Sequence, residues 1–307
     1  MEKTDIITLM QLPDVGSKTV LKLYNHVSNR RLINLDFNDY ISLIEEITNK
    51  KFMRIHIDKS KLKAEKLLEQ CYLNKIKIFS FLDDDYPDRL KKIGNDKPVI
   101  LFSKGNHDIM KTGYNLAFIG SRKVSKENYK IGVKFSKLAV DMGVNIVSGL
   151  AIGCDTAGHR GALLTNKNLL SGKTLAVLPS GIQNIYPKKN TTLSNEILEE
   201  EGCLISEKPP FESPEKYDYI MRDRLQAALS ESIFILQSSL GSGTVHTAKF
   251  GEKYSKKIFC YGINTQNKGM ELNKKLINEG KAFDINSEEQ FKLAISKERD
   301  EHYEISH

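Results

Sequence analysis

The chain has 307 residues, 40% hydrophobic and 28% charged, with 46 Lys and Arg against 39 Asp and Glu. That composition belongs to a soluble protein with a sizeable core, and no apolar run approaches the roughly 20 residues that span a bilayer. A net charge of +7 favours polyanionic partners over cationic ones.

Residues 1–74 read as a small all-α domain. Residues Met1–Leu12 lack the apolar core and cleavage site of a secretory signal, so a cytoplasmic protein without a membrane anchor is expected. Gly16 separates Leu12 and Val15 from Val20, Leu21 and Leu23. A glycine between two apolar helical stretches suits a tight turn with positive φ. The next helix would then open with its N–H groups free for an anion. This is the outline of a helix-hairpin-helix, SAM-like unit, which serves either as a phosphate clamp or only as a packing unit. A second helix pair is expected near Asp39–Thr48 and Lys59–Cys71, the latter with a lysine face of Lys59, Lys61, Lys63 and Lys66.

Residues 75–264 read as the main domain with a leading connector. The connector, Lys75–Asn106, has two short strands, IKIFSF and VILFSKG, and is expected to pack against the main domain. From Asn115 onward, apolar strands alternate with amphipathic helices. The strands are NLAFIG, VNIVSG, KTLAVLPS, CLISE, SIFILQS and KKIFCYG. The helices are expected over Ser125–Met142, Cys154–Asn166, Thr191–Glu200, Asp218–Leu229 and Gly243–Tyr254. Near-continuous apolar strands imply that both sheet faces are covered. The fold class is therefore α/β, an extended Rossmann-like and mostly parallel sheet with helices on both faces. Residues 265–307 form a C-terminal extension: a polar linker, a strand at AFDI, a helix over Ser287–Lys297, and a disordered tail from Glu298.

Ligands of open parallel sheets sit at the carboxyl ends of the strands. Four strand ends here carry glycine with serine or threonine: Gly120-Ser121-Arg122, Ser148-Gly149, Pro179-Ser180-Gly181, and Ser238 to Ser242-Gly243-Thr244. Glycine admits close backbone approach, hydroxyls donate, and the adjoining helix N-termini add positive potential. Arg122 supplies a fork that matches phosphate. Further cations gather nearby in sequence: Lys123, His159, Arg160, Lys188, Lys189, Arg222 and Arg224. Lys173 opens a strand, which places it at the far edge on geometry alone.

The first helix follows no strict GxGxxG, and no GxxxxGK[ST] occurs, so neither a dinucleotide cofactor nor an NTP with magnesium is indicated. Cys71, Cys154, Cys203 and Cys260 are far apart, without the spacing of a zinc site or a disulfide framework. No catalytic set is recognisable. The pattern describes a phosphate-binding crest without cofactor or metal.

The stretches AFIGSRKVS, VNIVSGLAIGCDTAGHRGAL, GKTLAVLPSGIQNIYPKKN, LISEKPP, MRDRLQAALS and SSLGSGTVHTAKFGEKYSKKIFCYG resemble, in order, the DNA-processing protein A family (DprA/Smf). The resemblance implies a non-catalytic protein that binds single-stranded DNA in a basic pocket and protects it during transformation. It also implies loading of the recombinase RecA and a homodimer. Carried over by position, it implies contacts from Gly120, Ser121, Arg122, Ser148, Gly149, Lys173, Arg222, Arg224, Ser242, Gly243 and Thr244. The sequence departs from the family pattern at Asp223, where Asn is usual, at Leu225-Gln226-Ala227-Ala228 and at Gly243–Thr247. No winged-helix pattern comes after Gly262.

Three readings remain open on the sequence. A single-stranded DNA binder would show strong salt dependence and would stack bases on Tyr186 or Phe211. A nucleotide N-glycosidase of the lysine-decarboxylase-like type would need a carboxylate, yet no glutamate comes after Gly241-Ser242-Gly243-Thr244 before Glu252. A sensor would hold a small nucleotide without turnover.

Overall fold

The computed structural model describes residues 1–164, 171–262 and 268–306. It divides into two compact units, Met1–Phe102 and Ser103–His307. The expected helix end at Asn166, the domain edge at residue 264 and the linker start at Thr265 lie outside the described residues.

In the first unit, α1 (Lys3–Leu9), α2 (Ser17–Asn29), α3 (Phe37–Thr48) and α4 (Arg54–Leu73) bury one stripe each. On α4 the stripe is Ser60, Ala64, Leu67 and Cys71, at helical spacing, and the four expected lysines are exposed. Helix α3 starts with a reciprocal cap, Asp36 and Asp39 each accepting the other's amide, and ends at Asn49 with φ 52°. The Gly16 expectation fails in its detail. Gly16 is extended, with φ −122°, and Asp14 takes the left-handed conformation instead, at φ 60°. An aspartate tolerates that region because its short side chain bonds locally, so the turn is made two residues earlier. Strand β1 (Lys77–Ser80) and the short α5 (Asp88–Lys91) come next, then β2 (Ile100–Gly105), within which the division falls.

The second unit continues with β3 (Tyr114–Ile119), α6 (Lys126–Asp141), β4 (Val144–Ser148), α7 (Cys154–Leu163), β5 (Thr174–Val177) and α8 (Thr191–Glu199). Then come β6 (Cys203–Ser206), α9 (Lys216–Ala228), β7 (Ser232–Ile235), α10 (Thr244–Lys253), β8 (Lys257–Tyr261), α11 (Glu271–Asn278), β9 (Phe283–Ile285) and α12 (Glu288–Ser306). Its strands run in the order β6-β5-β4-β3-β7-β8-β9, all parallel, as in a Rossmann-like sheet.

Strand β3 shows why both faces are apolar. Leu116 and Phe118 join a core with Phe135 of α6 and Phe291 and Ile295 of α12. Ala117 and Ile119 point the other way, to Ala227 of α9, Ala248 of α10 and Leu272 of α11. The four cysteines are free and buried.

The expected disordered tail is helix α12 through Ser306. Its charges are used for docking: Glu298 accepts from Lys257 at 2.6 Å, and Arg299 Nη1 donates to the Met142 carbonyl at 2.5 Å. A charged composition read as solvated chain thus belongs to an anchored helix. Among the described residues, no helix is long and apolar enough to cross a membrane.

Candidate functional site

The strand order reverses at β3, which has β4 on one side and β7 on the other. A crevice therefore opens beyond the carboxyl ends of β3 and β7. The turn after β3, Gly120-Ser121-Arg122, is held there from three sides. A β-carbon on Gly120 would lie 2.5 Å from Cys154 Sγ and 2.8 Å from the Gln237 carbonyl oxygen. The Ser121 amide donates to that carbonyl at 2.7 Å, and the Ser121 carbonyl accepts from the Cys154 amide. Buried Gln237 also receives the Ser125 amide and the Asn128 side chain on its Oε1. Gly153, at φ +89°, passes so close that a β-carbon would meet the Ser121 carbonyl at 2.4 Å. The turn is rigid, and Arg122 extends from it into solvent with its guanidinium carbon 5.2 Å from the Tyr219 ring centroid.

The loop after β4 is organised by Asp155. Its Oδ2 accepts the amides of Gly149 at 3.2 Å and Ala151 at 3.3 Å. The same oxygen is 3.4 Å from Nη1 of Arg222, which comes from α9 and is 7% exposed. Arg222 Nε lies 3.1 Å from Asp223 Oδ1, but its N–H is not directed at that oxygen, so the contact is ionic. Gln226 completes the cluster. With its amide oriented to suit its neighbours, it donates to Asp223 at 3.2 Å and accepts from the Gly149 amide at 2.9 Å.

Burial sets the protonation of this cluster. It raises Asp155 and Asp223 above the ordinary carboxylate range against the pull of Arg222, and Asp223 is pushed up to about 7. Asp155 adds to the rise of Asp223 by like charge. His159 is fully buried, donates to or accepts from Thr174 at 2.7 Å, and is driven down to about 3 by burial and then by Arg222. It is neutral at physiological pH and adds no cation to the crest.

Across the crevice, α10 starts at Gly243 and Thr244, with Ser242 Oγ 2.5 Å from Ser238 Oγ. A cleft of about 470 Å³ runs between Gly120–Lys123 on one side and Ser242, Gly243 and Thr244 on the other, with Arg222 and Asp223 in its wall. Next to it is a smaller apolar pocket walled by Ile152, Pro179, Tyr186, Pro187 and Tyr219. Arg122, Ala151, Tyr219 and Arg222 belong to both. Tyr186, 43% exposed, meets Tyr219 edge-on at 6.1 Å. Positive helix potential, a solvent-exposed arginine and an aromatic wall thus face one continuous hollow.

The structure gathers some sequence-derived residues here and sends others elsewhere. Gly120, Ser121, Arg122, Gly149, Arg222, Ser242, Gly243 and Thr244 converge on the hollow. Ser148 does not line it: the side chain is buried and donates to the Phe118 carbonyl at 2.6 Å, tying β4 to β3. Arg224 is two residues from Arg222 on a helix, hence on another side of it. It is 4% exposed and bonded to Glu207, whose carboxyl burial raises. Lys173 sits at the opening of β5, beside Asn145 near the start of β4, and binds Glu201 at 2.9 Å. That is the opposite end of the sheet. Ser180 is buried, and Gly181 donates to the Glu212 carbonyl; a β-carbon there would meet Pro209 at 2.0 Å. Phe211 is half exposed outside both hollows. Arg160 pairs with Glu196, and Lys188 with Asn184.

Sequence reasoning missed Tyr219 and Asp155. Tyr219 lies three residues before Arg222 and so shares its helix face, a spacing that pointed to it. Asp155 stands in the first turn of α7, where a carboxylate turns back onto loop amides. No group of three or more His, Cys, Asp or Glu able to hold a metal occurs among the described residues.

Residues 77–295 match the model of DNA recombination-mediator protein A. The chain belongs to that family. It is 34% identical over 263 residues to the Smf protein of Borreliella burgdorferi, covering 84% of this chain and 79% of that one. It is 36% identical over 186 residues to the DNA processing protein DprA of Streptococcus pneumoniae, covering 61% of this chain and 63% of that one. Among solved structures, the S. pneumoniae DprA aligns with a TM-score of 0.76 at 27% identity, over 94% of this chain and 96% of that one. The Helicobacter pylori DNA processing protein A, whose structure concerns its mode of binding single-stranded DNA, aligns at TM-score 0.64 and 24% identity over 73% and 97%. At that identity the likeness is one of fold.

Proposed function

We propose that this family member is a non-catalytic single-stranded DNA binder. In this reading it holds the strand by its phosphates, protects it, and assists a recombinase such as RecA to load, working as a homodimer. One observation carries the reading: the phosphate cleft and the apolar pocket share Arg122, Ala151, Tyr219 and Arg222. A chain whose phosphate rests on the cleft can turn its base into the aromatic pocket one step away. Only an unpaired strand has a base free to do so, and a ring face tolerates any base. The contacts assigned to DNA are Gly120, Ser121, Arg122, Arg222, Ser242, Gly243 and Thr244. Gly149 supports them through Arg222. The relatives' names and the H. pylori structure agree with this choice of ligand.

The test is binding of fluorescent oligo-dT and of a duplex of equal length at two salt concentrations. Oligo-dT should bind more tightly, with log affinity falling against log salt by about 0.7 per phosphate contacted. Equal binding of the duplex would remove the role of the aromatic pocket. Release of free base from nucleotides would replace the reading with a hydrolytic one.

A further inference from the structure

The cleft wall holds two carboxylates, and only one is explained by the backbone around it. Asp155 collects the amides of Gly149 and Ala151 and so shapes the loop into α7. Among the described residues, no backbone amide donates to the Asp223 side chain. It is buried, lines the cleft, and has Oδ2 3.8 Å from where a β-carbon on Gly243 would stand. It therefore borders the opening turn of α10, where a phosphate is expected to seat. When it is ionised, its negative charge there opposes the ligand.

The charged groups facing Asp223 are few. Arg222 stands beside it on α9, the exposed Arg122 acts on it from the turn after β3, and Asp155 faces it from the first turn of α7. Helix α10 contributes Gly243, Thr244 and Thr247 to the cleft, none of which titrates. The exposed Lys123 lines the cleft as well, so the two carboxylates offset much, though not all, of the cleft's positive charge before any phosphate arrives. A phosphodiester adds a third negative charge in a partly dry space, and like charges at such range do not all stay ionised.

We infer that Asp223 takes up one proton as a phosphate seats on the Ser242–Thr244 turn, which makes polyanion binding proton-coupled. The proton comes from solvent, the phosphodiester is unchanged, and the new O–H becomes a donor toward a phosphate oxygen. Burial already holds this carboxyl at about 7, so the step falls near neutrality. The inference rests on the proposed phosphate site and refines it.

The experiment is a pH series from 6 to 8.5 with oligo-dT lacking a terminal phosphate, at constant ionic strength, using the full chain and Asp223→Asn. The phosphodiester does not titrate in this range. For the natural chain, Kd should rise above pH 7 with a slope approaching tenfold per pH unit. Asp223→Asn should give a flat profile and bind more tightly than the natural chain at pH 8.5. Calorimetry of the natural chain at pH 7.5, in two buffers of different ionisation enthalpy, should show net proton uptake on binding. Parallel profiles in the two proteins, or no uptake, would overturn the inference and leave the DNA reading standing. Absence of oligo-dT binding by both proteins at pH 6 would overturn both.

Discussion

The guanidinium of Arg222 lies where a side chain on Gly149 would begin: a β-carbon there would stand 1.2 Å from Nη1. The glycine at the end of β4 is thus explained by an arginine 73 positions later rather than by its own φ. Any side chain at 149 must expel Arg222 from its place between Asp155 and Asp223. Gly149→Ala should lower stability by about 1–3 kcal/mol, the usual cost of overpacking a buried site. It should also weaken oligo-dT binding at least tenfold. Thermal unfolding and fluorescence anisotropy check the two effects, and unchanged binding would show that Arg222 does not need this position.

Arg122 differs from Arg222 in being solvent-exposed on a rigid turn. Arg222 still contacts both buried carboxylates once Arg122 is gone, so Arg122→Ala should change Tm little. Binding should weaken at low salt, and the salt slope should fall by about 0.7, the share of one phosphate contact. An unchanged slope would mean that the arginine stacks on Tyr219 and leaves the phosphate to others.

The Arg222 and Arg224 pair shows how far the sequence was legible. Strand alternation along β3 and the glycines at strand ends were readable because burial on two faces and close backbone approach each demand particular residue types. Arg222 and Arg224 look equivalent in the sequence, yet a two-residue step on a helix turns one into the cleft and the other onto Glu207. Which face of α9 meets the crevice is set by packing on β3 and β7, and that is a tertiary fact. The same applies to Ser148, whose hydroxyl is engaged by the Phe118 carbonyl. The α12 charges read as solvated because their partners, Lys257 and Met142, lie 41 and 157 positions away.

Lys173 and Arg222 make a paired test of the geometry. Lys173 is at the amino end of β5 and engaged by exposed Glu201. Lys173→Ala should leave oligo-dT affinity within about twofold. Removing Arg222 strips two buried carboxylates of their counter-charge and should destabilise by about 3–5 kcal/mol. A large binding loss in Lys173→Ala, with an unchanged salt slope elsewhere, would move the path of the strand to the far edge of the sheet.

Tyr219→Ala should separate the two halves of the hollow. Tyr219 forms the wall between cleft and pocket and touches both Arg122 and Tyr186. Loss of a base-stacking ring costs about 1–3 kcal/mol for the base it serves. Oligo-dT should therefore lose roughly tenfold or more in affinity, while duplex binding, which uses only phosphates, should hardly change. An equal loss for both ligands would assign Tyr219 to holding Arg122 in place.

Asp223 also predicts how stability depends on pH in the free protein. An unfolded aspartate ionises near pH 3.9, whereas burial holds Asp223 at about 7 in the fold. Folding thus takes up a proton between those values. The carboxyl's contribution is whole below about pH 4, declines as pH rises, and is lost once pH passes 7. Asp223→Asn keeps the shape and removes the titration. It should stabilise the fold at pH 8 by an amount on the order of 1–3 kcal/mol, seen as a higher Tm, and make little difference at pH 4. Melting curves at pH 4, 6 and 8 read this directly. A variant less stable than the natural chain at pH 8 would show that the ionised carboxylate gains more from Arg222, 3.1 Å away, than it loses on burial.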